Sequence, residues 1–126
     1  MSRPNVFLLI SDTLRADALS VYAKNGVSTP NIERVADQGT VVENAFSSGP
    51  WTPPAHGSLF SGRWPSETGF IGAMPEMPDE VPLLAERLSE AGYETVGVPG
   101  PAKMGHATGL DRGFDWYYEV HREVAD

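Results

Sequence analysis

Three stretches of this chain carry residues whose types and spacing could do chemistry. Asp12 follows the apolar run Val6-Phe7-Leu8-Leu9-Ile10 and Ser11. If that run is a strand, Asp12 lies just past its C-terminal end, the edge at which open α/β sheets bind ligands. A carboxylate there could hold a hard divalent cation. It could equally cap a helix, because Thr13-Leu14-Arg15 follows. Thr52 stands in Gly49-Pro50-Trp51-Thr52-Pro53-Pro54-Ala55-His56. A hydroxyl at a loop-to-helix junction meets the helix N-terminus, where N–H groups and the macrodipole favour an anion. The same field would stabilise an attacking alkoxide, and an adjacent metal ion would make the hydroxyl more acidic. Taken alone, Thr52 is read more simply as a cap ahead of prolines in the first turn. His56 lies one helical turn further on, on the same face. It could bond a substrate oxygen or carry a proton, although a lone His is more often just a polar side chain. Lys103 and His106 fall in a loop after a later strand, where a cation could neutralise an anionic substrate. By themselves these two read as ordinary surface residues.

The elements that must position these residues follow from periodicity. Val6 to Ile10 is apolar without alternation, which fits a central parallel strand buried on both faces. Thr29-Pro30-Asn31-Ile32-Glu33 is a helix start with Thr29 as N-cap, and Gly39 is its stop. Ile32, Val35 and Ala36 are expected to face the core. Thr40 to Phe46 reads as a second strand, Ser47 to Pro54 as a loop, and Ala55 to Phe60 as a short helix ended near Gly62. Arg63 to Pro78, rich in Pro and Gly, is expected to wrap the surface. Leu83, Leu84, Arg87 and Leu88 lie at helical spacing before Gly92. Tyr93 to Val98 reads as a third strand, Pro99 to Gly109 as an irregular loop, and Leu110 to Tyr118 as an aromatic-rich turn. Strands alternating with helices give an α/β fold with a parallel-sheet core and flanking helices. Three strands make a thin sheet, so the expectation is a partial domain over residues 1–126 or a part of a larger assembly.

Composition bounds the function. With 126 residues and 40% hydrophobic content, the chain can build one modest core. Seventeen acidic residues against nine Lys and Arg give a net charge of −8, which argues against a nucleic-acid partner. Lys24 and Lys103 are the only lysines. The absence of cysteine excludes disulfides, thiolate metal sites and a Cys nucleophile. The run at Val6 to Ile10 is too short for a signal-peptide core or a membrane span, so a cytoplasmic location without membrane association is expected.

Arg3-Pro4-Asn5 through Asp17 resembles the opening of the sulfatases, in the alkaline phosphatase superfamily. Thr29-Pro30-Asn31-Ile32 is similar to a helix start of that family, and Trp51 to Gly62 to its active-site signature. Gly92-Tyr93-Glu94-Thr95 and Gly109-Leu110-Asp111-Arg112-Gly113-Phe114-Asp115 resemble later landmarks, in the same order. The resemblance implies the N-terminal portion of an alkaline-phosphatase-like fold and a metal-dependent hydrolase of sulfate or phosphate esters. It implies a divalent ion, calcium first and magnesium, manganese or zinc as alternatives, near Asp12, Thr13 and Thr52. Thr13 stands where many sulfatases have a second Asp ligand. Aligning Ser58-Leu59 and Gly62 with the signature puts Thr52 at the nucleophile position, Pro54 on the signature Pro and His56 on its Arg. Sulfatases carry there a Cys or Ser converted to formylglycine. Thr is instead the nucleophile of phosphodiesterase and phosphotransferase branches, which pass through a phospho-enzyme. Lys103-Met104-Gly105-His106 resembles, with one extra residue, a Lys-x-His motif that contacts the sulfate.

The family's remaining ligands come from a distant region with Asp followed by Asn or His, which these 126 residues do not contain. A calcium ion takes about six to eight oxygens, so Asp12 and Thr52 alone are expected to hold metal poorly. The alternatives to a hydrolase are a phosphotransferase acting through Thr52, and a non-catalytic module that binds an anion or a partner. Unpaired sheet edges would favour self-association or a partner chain that completes the sheet.

Overall fold

The computed structural model describes residues 3–23, 27–100 and 102–120. The chain divides into two compact units, Met1–Ala45 and Phe46–Asp126. In the first, Pro30–Gln38 forms helix α1, which starts at a proline and ends at Gly39 as the sequence predicts. Thr29 does not cap that helix through its side chain. Its hydroxyl instead meets Ser20 Oγ at 2.7 Å, its N–H donates to Ser20 Oγ at 3.0 Å, and Ser20 Oγ donates to Glu33. This knot ties the start of α1 to the turn before it.

Two expectations fail in this unit. Val6 to Ile10 is not paired in a sheet, and its residues are 39 to 87% exposed. Thr40 to Phe46 is also unpaired. A central parallel strand is stabilised by ladder bonds on both sides and by helices on both faces. Among the described residues of this unit the only bridge is the isolated parallel one between Leu19 and Val27. Ile32 and Val35, expected in the core, are exposed as well, Val35 at 70%.

The second unit holds a core of Phe70, Met77, Val81, Leu83, Met104 and Leu110, with Phe60 packed against it. Three helices and two strands belong to this unit. Helix α2 is Thr52–Ser61, and Gly62 in the left-handed conformation ends it. Helix α3 is Pro65–Thr68 and helix α4 is Leu84–Glu90. Strands β1 (Val96–Gly97) and β2 (Trp116–Tyr117) pair in parallel, Val96 opposite Trp116 and Gly97 opposite Tyr117. The parallel sheet with flanking helices is thus present as a two-stranded piece. No helix among the described residues is long and apolar enough to cross a membrane.

Here too the structure revises the sequence reading. Arg63 to Pro78 does not merely wrap the surface, because Phe70 and Met77 from it are almost fully buried. The aromatic stretch expected to be a turn supplies β2. Its pairing is fixed by Thr95, whose N–H donates to Asp115 Oδ2 at 2.8 Å and whose hydroxyl donates to the Gly113 carbonyl at 2.7 Å. Long-range ties of that kind leave no periodic trace in a two-residue strand.

Gly113 has φ +84°, and a Cβ there would stand 2.2 Å from the Glu86 backbone nitrogen of α4. Gly69 has φ +69° and open space around it. Gly69→Ala is therefore expected to cost about 1 kcal/mol, the left-handed penalty alone. Gly113→Ala should cost about 3 kcal/mol or more, because backbone must also move. Urea unfolding of the two variants, followed by circular dichroism, checks the difference.

Candidate functional site

Thr52 is the first helical residue of α2, and Trp51 holds the cap position. The first intrahelical bond runs from Ala55 N–H to the Trp51 carbonyl at 3.2 Å. The capping explanation of Thr52 therefore gives way to a position inside the first turn. Trp51 is anchored by its indole N–H, which donates to the Gly72 carbonyl at 3.1 Å. Gly49 lies against the helix start: a Cβ there would be 2.9 Å from Ala55 N and from Pro54 Cβ. The loop before α2 is thereby seated on the turn that carries Thr52.

The same turn is poorer in donors than its position suggests. Pro53 and Pro54 have no N–H, so Thr52 alone of residues 52–54 keeps one. That depletion was legible from the sequence and weakens the argument for a direct backbone cradle. The helix dipole remains, and further stabilisation of an anion falls to side chains.

His56 is buried, at 8% exposure. Its Nδ1 lies 2.9 Å from the Thr52 carbonyl oxygen. A carbonyl only accepts, so Nδ1 carries a proton and donates it to the Thr52 carbonyl. The ring meets Phe60 edge-on at 6.2 Å. His56 thus braces the backbone of Thr52 from one turn away.

Lys103 and His106 sit on the loop between β1 and β2, each exposed. The loop is two 3-10 turns, Ala102–Met104 and His106–Thr108. The first of them packs against α2, so Thr52's helix and Lys103's turn are neighbours within the second unit. Met104 is buried and its carbonyl accepts from the Tyr117 hydroxyl. Thr108 Oγ1 donates to the Gly105 carbonyl at 2.9 Å, and Met77 N–H donates to the Thr108 carbonyl at 3.0 Å. His106 Nδ1 pairs with Asp111, and His106 N–H donates to Glu119 Oε1 at 2.8 Å. Sequence reasoning named Lys103 and His106 but missed Asp111, Tyr117 and Glu119, which shape the loop around them. The only available signal was Gly105, a glycine between the two cations.

Asp12 and Thr13 belong to the first unit and are exposed. Thr13 has φ +60°, a conformation β-branched residues avoid. Among the described residues, no group of three or more His, Asp or Glu is placed to hold a metal ion. One carboxylate and neighbouring hydroxyls fall short of the oxygen set a hard cation takes. The full donor set is thus not assembled from these residues.

Helix α2, the loop packed against it and the parallel strand pair form part of an α/β arrangement. A family model described as Sulfatase matches residues 4–125, and the chain belongs to that family. It is 31% identical to the N-acetylgalactosamine-6-sulfatase of Homo sapiens over 91% of this chain and 25% of that protein. It is 28% identical to human arylsulfatase H over 94% of this chain and 25% of that one. A solved structure described as Ps i-CgsB superposes with a TM-score of 0.76 at 26% identity, covering 92% of this chain and 28% of that chain. The chain spans about a quarter of the length of the curated relatives it matches.

Two outcomes follow from this geometry. Thr13→Asn should stabilise the protein by about 1 kcal/mol, because Asn tolerates the left-handed region; thermal unfolding checks it. Tyr117 has its pKa raised from 10.0, first by burial and then by the charges of Asp111 and Glu119. A raised folded value means the stabilisation is complete below pH about 10 and is lost as pH rises beyond it. Denaturation midpoints should fall above that pH, and fall less steeply in Tyr117→Phe.

Proposed function

We propose that this chain supplies the nucleophile side of a sulfatase-type site that cleaves a sulfate or phosphate ester, with Thr52 as the attacking group. The observation that carries the reading is the place of Thr52 at the first turn of α2, a helix that packs against the turn bearing Lys103. In the first step Thr52 Oγ bonds to the central atom of the ester, the ester C–O oxygen departs, and the Thr52 proton ends on the leaving alcohol. Water then displaces the group from Thr52 and restores the hydroxyl. The dipole of α2 and the charge of Lys103 offset the negative charge that grows on the transferred group. His56 keeps the Thr52 backbone in register. His106, exposed on the same loop as Lys103, is the second group available to a substrate oxygen.

Asp12 as a ligand for a divalent ion, with Thr13 beside it, is supported by their place in the family's opening motif. The ion, calcium first among the candidates, would require oxygen ligands beyond those two residues. Turnover by this polypeptide alone is accordingly expected to be slow with calcium, magnesium, manganese or zinc.

Thr52 also favours phosphate over sulfate, because a threonine hydroxyl attacks phosphorus directly and needs no conversion to an aldehyde. A phosphotransferase differs only in that an alcohol replaces water in the second step. Intact-mass measurement after incubation with an aryl phosphate and a divalent salt tests the reading. One phosphoryl group should appear on the chain and be absent from Thr52→Ala. Cleavage of an aryl phosphate or sulfate that persists undiminished in Thr52→Ala would exclude Thr52 as the nucleophile.

A further inference from the structure

We propose that Glu119 is a positioning residue that shapes the loop presenting Lys103 and His106. The inference rests on the reading of Lys103 as an anion contact and deepens it. Glu119 stands two residues past the end of β2, and only 8% of it is exposed. Its Oε1 accepts the His106 N–H at 2.8 Å. The carboxylate lies so close to the loop backbone that a Cβ on Gly105 would come within 1.6 Å of Oε1. Glycine at 105 and glutamate at 119 are therefore matched: the first has no side chain where the second puts its oxygen.

The physical case for a positioning role comes from cost. Burying a carboxylate in a chain of net charge −8 is unfavourable unless donors engage it. One engaged donor is the backbone N–H of His106, the first residue of the second 3-10 turn, so the contact orders main chain. With the Tyr117 hydroxyl on the Met104 carbonyl and Thr108 Oγ1 on the Gly105 carbonyl, residues 104–106 are held at consecutive positions. Lys103 directly precedes them. A buried side-chain oxygen that reaches the loop N–H, shielded from water, is a tie whose strength depends on that reach.

The test separates reach from charge. Glu119→Asp keeps the charge and draws the oxygen back by a methylene. Glu119→Gln keeps the reach and removes the charge. Both variants of the full chain are compared with wild type and Lys103→Ala in two measurements: amide hydrogen exchange at His106, and affinity for inorganic sulfate by calorimetry. Glu119→Asp should exchange the His106 amide about tenfold faster and bind sulfate about fivefold more weakly, while Glu119→Gln stays within about twofold of wild type in both. The proposal is overturned if Glu119→Asp binds sulfate as wild type does while Lys103→Ala does not. It is equally overturned if Glu119→Gln loses as much affinity as Glu119→Asp. Sulfate affinity that is unmeasurable in wild type, or unchanged in Lys103→Ala, overturns instead the anion reading beneath it. That failure shows in the wild-type and Lys103 arms and not in the exchange at His106.

Discussion

The second unit depends on one close approach. Helix α2 lies on the core at Gly57, where a Cβ would stand 2.4 Å from the Phe70 ring and 3.1 Å from Met77 Cε. No side chain fits between them. This contact sets the depth at which α2 sits on Phe70 and Met77, and so sets where its first residue, Thr52, emerges. A side chain at position 57 would lift the helix from the core and carry the nucleophile position with it. Interiors are packed too densely to absorb such a shift locally.

Electrostatics around the proposed nucleophile are divided between two elements for a covalent reason. Pro53 and Pro54 start the helix well, because their fixed φ suits the first turn, but they delete two of the donors that make helix starts good anion sites. The loop that packs against α2 carries Lys103 and His106. That loop is irregular by backbone shape and yet densely bonded. Its carbonyls and N–H groups are engaged by Tyr117, Thr108 and Glu119 rather than by a helix or sheet ladder. Buried backbone polar groups must find partners, and here the partners are side chains brought from β2 and beyond.

Membership of the sulfatase family was legible from local motifs. The opening stretch to Asp17, the Thr-Pro-Asn helix start and the stretch Trp51 to Gly62 are contiguous, and contiguous patterns survive in a sequence without any tertiary information. Helices α1, α2 and α4 were legible for the same reason, although α2 starts at Thr52 and not at Ala55, and α3 was missed. Pro30 and Gly39 bound α1, Gly62 ends α2, and Gly92 lies just beyond α4. Of the strands, β1 was: Val96–Gly97 falls inside the expected strand Tyr93 to Val98, and the others were not. Val6 to Ile10 has the composition of a buried strand, but composition states what a segment can bury, not whether neighbours are present to bury it. Conversely, Trp116–Tyr117 looked like a turn and became β2, because Thr95 and Asp115 tie it to β1 across twenty residues.

The sequence by itself determined the class of chemistry available. Thr52 carries a hydroxyl and no thiol, Asp12 a carboxylate at the end of an apolar run, Lys103 and His106 cationic or polar groups without a cysteine anywhere. Side-chain chemistry is local and needs no fold to be named. Only the tertiary structure decided that Thr52 is inside the first turn and not its cap, and that His56 is spent bracing it. It also decided that a buried Glu119 holds the loop of Lys103. Those facts are relations between residues far apart in the chain or between side chain and backbone, and they exist only once packing has brought the groups within bonding distance.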